Sequence, residues 1–328
     1  MLRIADTFIV ENPKTVAEAL GLLNRYGASA RIMAGGTDIL PNIKHGLHAP
    51  EVLISLKAIS ELNTMDLDAD PVSIGALTSI HQIAMHPEIR RQLPALAKAA
   101  REVAGPQLRR MGTLGGNVCL DTRCVYINQT HFWREALGFC IKKDGTACHV
   151  VETGKRCVAA ASNDTAPVLI ALGASIVIES PQGERTVRLE DFYINDGVKN
   201  QGLASDDIVT QILIPRTALG RRQGFEKLRV RGAIDFPMLN MALAFDEDAG
   251  VISHMDLVFS AVAARPRRIK KTPVGPLDNA LIEAAAQAAF KQIRPLTSIN
   301  GDVVWRREMV PVLVRRAFEQ IAGRSDTP

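Results

Sequence analysis

Apolar residues first settle into a helical rhythm at Val16, Ala19, Leu20 and Leu23. Asn12-Pro13 offers a start for this helix, with proline at the first helical position, and Gly27 offers a stop. The short apolar run Ala30 to Ala34 follows and predicts a buried strand; Val52 to Leu56 predicts another. This alternation of strand and helix is the pattern of a small α/β unit. Pro71 to Ala76 reads as a strand, and Ser79 to Ala104 as helix interrupted at Pro87 and Pro94, with Gly105-Pro106 as the break. Two β-type runs, Ala174 to Glu179 and Thr186 to Leu189, flank Pro181-Gln182-Gly183 and predict a hairpin.

Pro, Gly and Arg cluster between Pro215 and Gly224, which marks a domain boundary. Beyond it, Leu239 to Phe245 and Val251 to Phe259 flank the acidic turn Asp246 to Gly250. Helical periodicity returns at about Asp278 to Ile293 and Val304 to Ile321. No internal repeat or low-complexity tract is present.

Length agrees with this division, since 328 residues suit two domains or three. The composition is that of a globular protein, 47% hydrophobic and 23% charged. A formal charge of only +4 and 5% aromatic residues argue against a nucleic-acid partner. The most apolar stretch, Val158 to Ile178, is broken by Asn163, Asp164 and Pro167, so no membrane span is expected. The first residues carry Asp6 and Glu11 and no long apolar run, so we expect no secretory signal and a reducing, cytoplasmic location.

The cysteines change the picture most. Cys119, Cys124, Cys140, Cys148 and Cys157 all fall within 39 residues, and the rest of the chain has none. An odd number in a reducing compartment fits disulfides poorly. Thiolates bind soft metals, and four of them complete a tetrahedral zinc site or one 4Fe–4S cluster. The gaps of 4, 15, 7 and 8 residues do not choose between the two.

Two paired-glycine turns are the other candidates. Gly35-Gly36 and Gly115-Gly116 each permit close backbone approach to a ligand, and successive N–H groups in such turns can cradle an anion. Thr37 and Thr113 add hydroxyls. Together the turns could hold one pyrophosphate; alone, each is an ordinary tight turn. Neither a G-x-G-x-x-G fingerprint nor a Walker A loop is present, so a dinucleotide would sit on another scaffold. His81 and His86, five residues apart, read as surface residues. Arg265 to Lys271 reads as a solvated basic loop or, less simply, a docking patch. No Ser-His-Asp set or H-E-x-x-H motif is readable.

Ala34-Gly35-Gly36-Thr37-Asp38 after a strand, with Thr113-Leu114-Gly115-Gly116-Asn117 about 80 residues later, resembles the FAD-binding subunits of the molybdenum hydroxylase (xanthine dehydrogenase) family. Asn163-Asp164-Thr165-Ala166-Pro167 and Phe225-Glu226-Lys227 fit the same family, and the resemblance spans essentially the whole chain. Most members run from the second glycine turn directly into the Asp-x-x-Pro segment. Here about 45 residues intervene between Asn117 and Asp164. This insertion, with Trp133-Arg134 and Cys148-His149-Val150, is similar to that of the β subunits of 4-hydroxybenzoyl-CoA reductases, which carry a 4Fe–4S cluster there.

The resemblance implies an α+β fold: a two-subdomain FAD-binding domain over residues 1–217 with a cluster-carrying insertion at about 119–158, then a C-terminal flavoprotein domain, 218–328, of a small antiparallel sheet with helices. It implies FAD contacts from Ile32, Met33, Ala34, Gly35, Gly36, Thr37, Asp38 and Ile39 in the first loop. Thr113, Leu114, Gly115, Gly116 and Asn117 would form the second. Asp164 would accept a hydrogen bond from the cofactor, while Val103, Val209 and Lys227 match positions beside the flavin or adenine. Cys124, Cys140, Cys148 and Cys157 are the implied cluster ligands. His149 is a rival, and Cys119 is a small buried thiol near the flavin. Read from the residues alone, Asp164 is a turn or cap residue, Lys227 a solvated lysine, and both valines core.

No catalytic residue is expected on this chain. The implied activity is electron transfer through 4Fe–4S and FAD, from a ferredoxin-type donor toward molybdenum. The implied partners are a large molybdopterin subunit and a small subunit with two 2Fe–2S clusters, in a dimer of heterotrimers. The implied reaction is reductive removal of the phenolic hydroxyl in anaerobic aromatic degradation. The alternatives are the equivalent subunit of an aldehyde oxidoreductase or other molybdenum hydroxylase and, in another class, a non-enzymatic zinc-binding interaction module.

Overall fold

The computed structural model describes residues 8–323. The leader reading of Met1 to Thr7 and the last five residues of the expected C-terminal domain lie outside them. Among the described residues the strands form three sheets. The first is parallel, with β1 (Ile9–Glu11) and β2 (Ala30–Met33) on either side of β3 (Val52–Ser55). The helix Val16–Tyr26 connects β1 to β2 and buries Val16, Ala19 and Leu23 with Val52 and Ile54 of the sheet. It begins later than Asn12-Pro13 suggested. Thr15 takes the cap, its side chain accepting from the Glu18 N–H at 3.1 Å, which leaves Pro13 outside. Gly27 ends the helix with φ +52°, as its position implied.

The second sheet is antiparallel, in the order β4 (Met65–Asp66), β5 (Val72–Gly75), β8 (Ile208–Ile214), β6 (Ser175–Ser180), β7 (Gly183–Arg188). Against it pack the helices Ile80–Met85, Pro87–Gln92 and Pro94–Glu102, and the helix Thr165–Ala171. The breaks fall at Pro87 and Pro94, because each proline takes the first position of a new helix. Alanine at 95, 97, 99 and 100 lets the helix Pro94–Glu102 approach its neighbours closely. Gly105-Pro106 breaks the helical run as expected. It caps and starts a further helix, Pro106–Met111, by the same proline logic.

The C-terminal sheet is antiparallel: β9 (Arg222–Leu228), β10 (Leu239–Asp248), β11 (Val251–Ser260) and β12 (Arg267–Arg268), with β13 (Gly275–Pro276) also on β11. The helices Asn279–Gln292 and Val303–Ala322 cover one face, burying Leu243, Phe245, Phe259, Leu313 and Phe318 in a core of their own. Within the basic run, Arg268 is half-buried. It pairs with Asp256 and Glu190 and donates to the Ile170 carbonyl.

Residues 119–158 are mostly turns around one short helix, His131–Ala136, capped by Thr130. Buried Arg134 ties that helix to the first domain by donating to the carbonyls of His45 and Gly46. Reciprocal backbone bonds between Arg123 and Ala160, at 2.8 and 2.7 Å, close the two ends of the segment. No helix among the described residues is long and apolar enough to cross a membrane.

Candidate functional site

Strand β2 delivers the first glycine loop. Its alternation sends Ile32 and Ala34 toward a cavity and Met33 away from it. Gly36 turns the chain with φ +72°, a conformation that disfavours a side chain. Gly35 is required for another reason: a Cβ there would stand 1.8 Å from the Met111 carbonyl oxygen. The first loop is thus pressed against the end of the helix Pro106–Met111. Among the described residues, no protein acceptor takes the backbone N–H groups of Gly35, Gly36 or Thr37.

The second glycine segment is not a turn but the start of a short helix, Leu114–Val118. Thr113 caps it, its hydroxyl accepting from the Gly116 N–H at 3.1 Å. Gly115 lets this helix touch the end of β5, where a Cβ would come within 2.7 Å of Ala76 Cβ. Leu114 is fully buried in the core and does not reach the cavity.

The two loops meet along one cavity of about 670 Å³, within the usual range for a cofactor site. Gly35, Gly36, Thr37, Asp38 and Ile39 line it from one side, and Thr113, Gly115, Gly116 and Asn117 from the other. Val103 and Val209 supply apolar wall. Asp164 reaches the cavity from the N-terminal end of the helix Thr165–Ala171 without capping it; Asn117 instead accepts from the Thr165 N–H and hydroxyl. Lys227 stays behind the wall. Its ammonium donates to Asp164 Oδ2 at 2.6 Å and to the Glu102 carbonyl at 3.0 Å, while Asn240 donates to Asp164 Oδ1 at 2.9 Å. Burial pushes the Asp164 carboxyl upward, and the Lys227 charge offsets part of that.

Sequence reasoning missed several wall residues. Arg123 pairs with Asp38, and its guanidinium lies 4.8 Å from the Phe236 ring; burial lowers its pKa to about 10. Phe236, Asp235 and Ile234 come from the connection between β9 and β10 and close the open side. Arg123 and Asp121 sit beside a candidate ligand, Cys124, which was a signal available in the sequence. The β9–β10 connection has no periodicity that could have revealed it.

Cys119 lies on this first cavity, and burial pushes its thiol up to about 12. The other four cysteines line a second, small cavity with Lys142 and His149. All five thiols are free. Burial raises Cys124, and pushes Cys157 up to about 11. His149 Nε2 is 2.5 Å from the Phe139 carbonyl, and the ring packs on Tyr126. Among the described residues, no three His, Cys, Asp or Glu side chains are close enough to hold a single metal ion.

A loop with N–H groups unpartnered among the described residues, a capped helix opposite it and a large part-apolar cavity form the site, with no Rossmann turn. Residues 6–217 match the family of FAD binding domains in molybdopterin dehydrogenase, and residues 223–321 match the CO dehydrogenase flavoprotein C-terminal domain. The chain belongs to the FAD-binding subunits of the molybdenum hydroxylase family. It is 28% identical over 316 residues to the nicotinate dehydrogenase FAD-subunit of Eubacterium barkeri, covering 94% of each. It is 27% identical over 313 residues to the glyceraldehyde dehydrogenase medium chain of Sulfolobus acidocaldarius, covering 94% of this chain and 96% of that one. Among solved structures, carbon monoxide dehydrogenase of Hydrogenophaga pseudoflava superimposes with a TM-score of 0.80 at 27% identity, covering 97% of this chain and 98% of that one. The expected two-domain FAD-binding fold of mixed helix and sheet, with a C-terminal antiparallel sheet and helices, is the fold observed. Family membership also accounts for both glycine segments, which a zinc-binding interaction module leaves unexplained.

Proposed function

We propose that this chain is the FAD- and 4Fe–4S-carrying electron-transfer subunit of a 4-hydroxybenzoyl-CoA reductase. The overall reaction takes 4-hydroxybenzoyl-CoA, two electrons and two protons to benzoyl-CoA and water. The substrate would bind a large molybdopterin subunit. A small subunit with two 2Fe–2S clusters would complete a heterotrimer, paired as a dimer, and a ferredoxin-type protein would supply electrons. The observation that carries this reading is the placement of Cys124, Cys140, Cys148 and Cys157 on one cavity, beside but separate from the cavity of the glycine loops. A four-iron cube is larger than a single ion, so its thiolates need a wider cage than zinc does.

FAD supplies one- and two-electron chemistry and an iron–sulfur cluster one-electron chemistry. The protein's task is to bind and orient. The N–H groups of Gly35, Gly36 and Thr37 would donate to the cofactor's diphosphate, with no internal acceptor to displace. Val103 and Val209 exclude water, and Asp164, held by Lys227 and Asn240, offers a fixed acceptor for a cofactor N–H or hydroxyl. Burial raises the thiols of Cys124 and Cys157, so binding a metal there would have to displace their protons.

A second reading makes this the same subunit of an aldehyde oxidoreductase, with electrons leaving molybdenum; the likeness to a glyceraldehyde dehydrogenase medium chain favours it. The complex, purified anaerobically, is assayed with 4-hydroxybenzoyl-CoA and with aldehydes, and its iron, sulfide, flavin and molybdenum are measured. Dehydroxylation, with four irons on this chain, is expected; turnover of aldehydes alone rejects the first reading. Cys140→Ser is expected to lose the cluster signal and keep FAD. A variant retaining four irons removes Cys140 from the ligand set.

A further inference from the structure

Lys142 is a buried charge that the FAD site does not use. Its side chain is 9% exposed, and all three ammonium protons are committed. They go to Asp121 Oδ1 at 2.8 Å, to the Thr122 hydroxyl at 2.8 Å and to the Gly197 carbonyl at 2.6 Å. Burying an ammonium carries a desolvation penalty even after relaxation, so packing alone would favour an apolar side chain here.

Its position separates it from an ordinary structural lysine. Lys142 lines the thiol cavity, whereas its carboxylate partner Asp121 lines the flavin cavity. Gly197 joins the ammonium to a thiol. Its carbonyl accepts from Lys142, its N–H donates to the Cys157 carbonyl at 2.8 Å, and a Cβ on it would come within 2.7 Å of Cys157 Sγ. From Asp121 to Cys124 the chain passes from one cavity wall to the other in four residues. The pair is therefore polarised across the partition, with the cation toward the thiols and the anion toward the flavin side. Two of the three acceptors around Lys142 are neutral, and Asp121 is 36% exposed, so solvent weakens its compensation.

We propose that the Lys142–Asp121 pair sets the reduction potential of the iron–sulfur centre, Lys142 raising it and Asp121 holding it down. This rests on the cluster reading given above. Reduction adds one electron to a centre already ringed by four thiolates, with no bond made or broken. A fixed cation beside it in a low-dielectric setting stabilises the added charge. Removing the cation makes the centre harder to reduce, and removing the carboxylate makes it easier.

The test is a dithionite titration of the anaerobically purified complex, followed by the cluster's magnetic resonance signal, with iron counted in each preparation. Lys142→Met is expected to shift the midpoint to more negative values, Asp121→Asn to more positive values, and Lys142→Arg to stay at the wild-type value. A merely structural pair would lose iron or shift both variants the same way. Unchanged midpoints in iron-replete Lys142→Met and Asp121→Asn, or shifts of one sign, overturn the proposal. If Lys142→Met does not assemble, the sign of the Asp121→Asn shift decides alone, and a null or negative shift overturns it. A wild-type complex without iron on this chain fails at the cluster reading itself, and that is visible before any titration.

Discussion

Cys119 and the four clustered cysteines are the same residue type in different surroundings. The thiol of Cys119 is raised from 9.0 to about 12 by burial beside the larger cavity. The unfolded chain releases this proton above pH 9, and the folded chain keeps it. Its contribution to stability is therefore complete below pH 9 and is lost as pH rises from 9 toward about 12. Urea midpoints of the purified chain should fall more gently between pH 8 and 11 in Cys119→Ala than in wild type; parallel curves would show that the thiol does not titrate this way. In the sequence Cys119 stood out only by lying two residues after Asn117, at the start of the insertion. The paired glycines were visible too, but not their separate reasons: Gly36 needs a positive φ, while Gly35 needs space against Met111. That distinction depends on Met111, 76 residues away in the chain, which no local pattern reports. The burial of Lys142 was equally unreadable, because a buried cation and a solvated one look alike in a sequence.

At the scale of elements, periodicity located most strands and the two C-terminal helices, since these bury a regular face. It failed where tertiary contact replaces periodicity. Leu114–Val118 reads as a glycine turn, yet the Thr113 cap and the contact of Gly115 with Ala76 hold it as a helix. The connection after β9 is the clearest case. Ile234 adopts φ +56°, its N–H donates to the Ala104 carbonyl, and Phe236 lies over Arg123. These contacts make the connection a cover for the cavity, fastened partly by a cation–π contact of about 0.5–1 kcal/mol. Phe236→Ala should accordingly speed flavin release by about two- to fivefold. Stopped-flow fluorescence of the released flavin measures this, and an unchanged rate would mean that the cover is held by its backbone alone.

Across the whole molecule, the C-terminal domain backs the cavity between the two glycine segments. Lys227 on β9 and Asn240 on β10 both hold Asp164, and Lys98 reaches Glu226 on the same strand at 2.6 Å. The Lys227 side chain is 0% exposed and that of Asp164 6%, so each needs the other's charge. The sequence reading placed both near the cofactor through family resemblance but gave no hint that they pair with each other, because 63 residues separate them. Replacing Lys227 by Met leaves a buried carboxylate with a single amide partner, which should cost about 3–5 kcal/mol. Adding Asp164→Asn to Lys227→Met removes the stranded charge and should restore much of that loss. Stability and flavin content then separate two roles. If the pair only fastens the domains, the double variant regains both. If the ionised Asp164 also receives a cofactor N–H or hydroxyl, the double variant regains its urea midpoint while its flavin content stays low. We expect the second outcome, because Asp164 lies on the cavity wall and Lys227 does not.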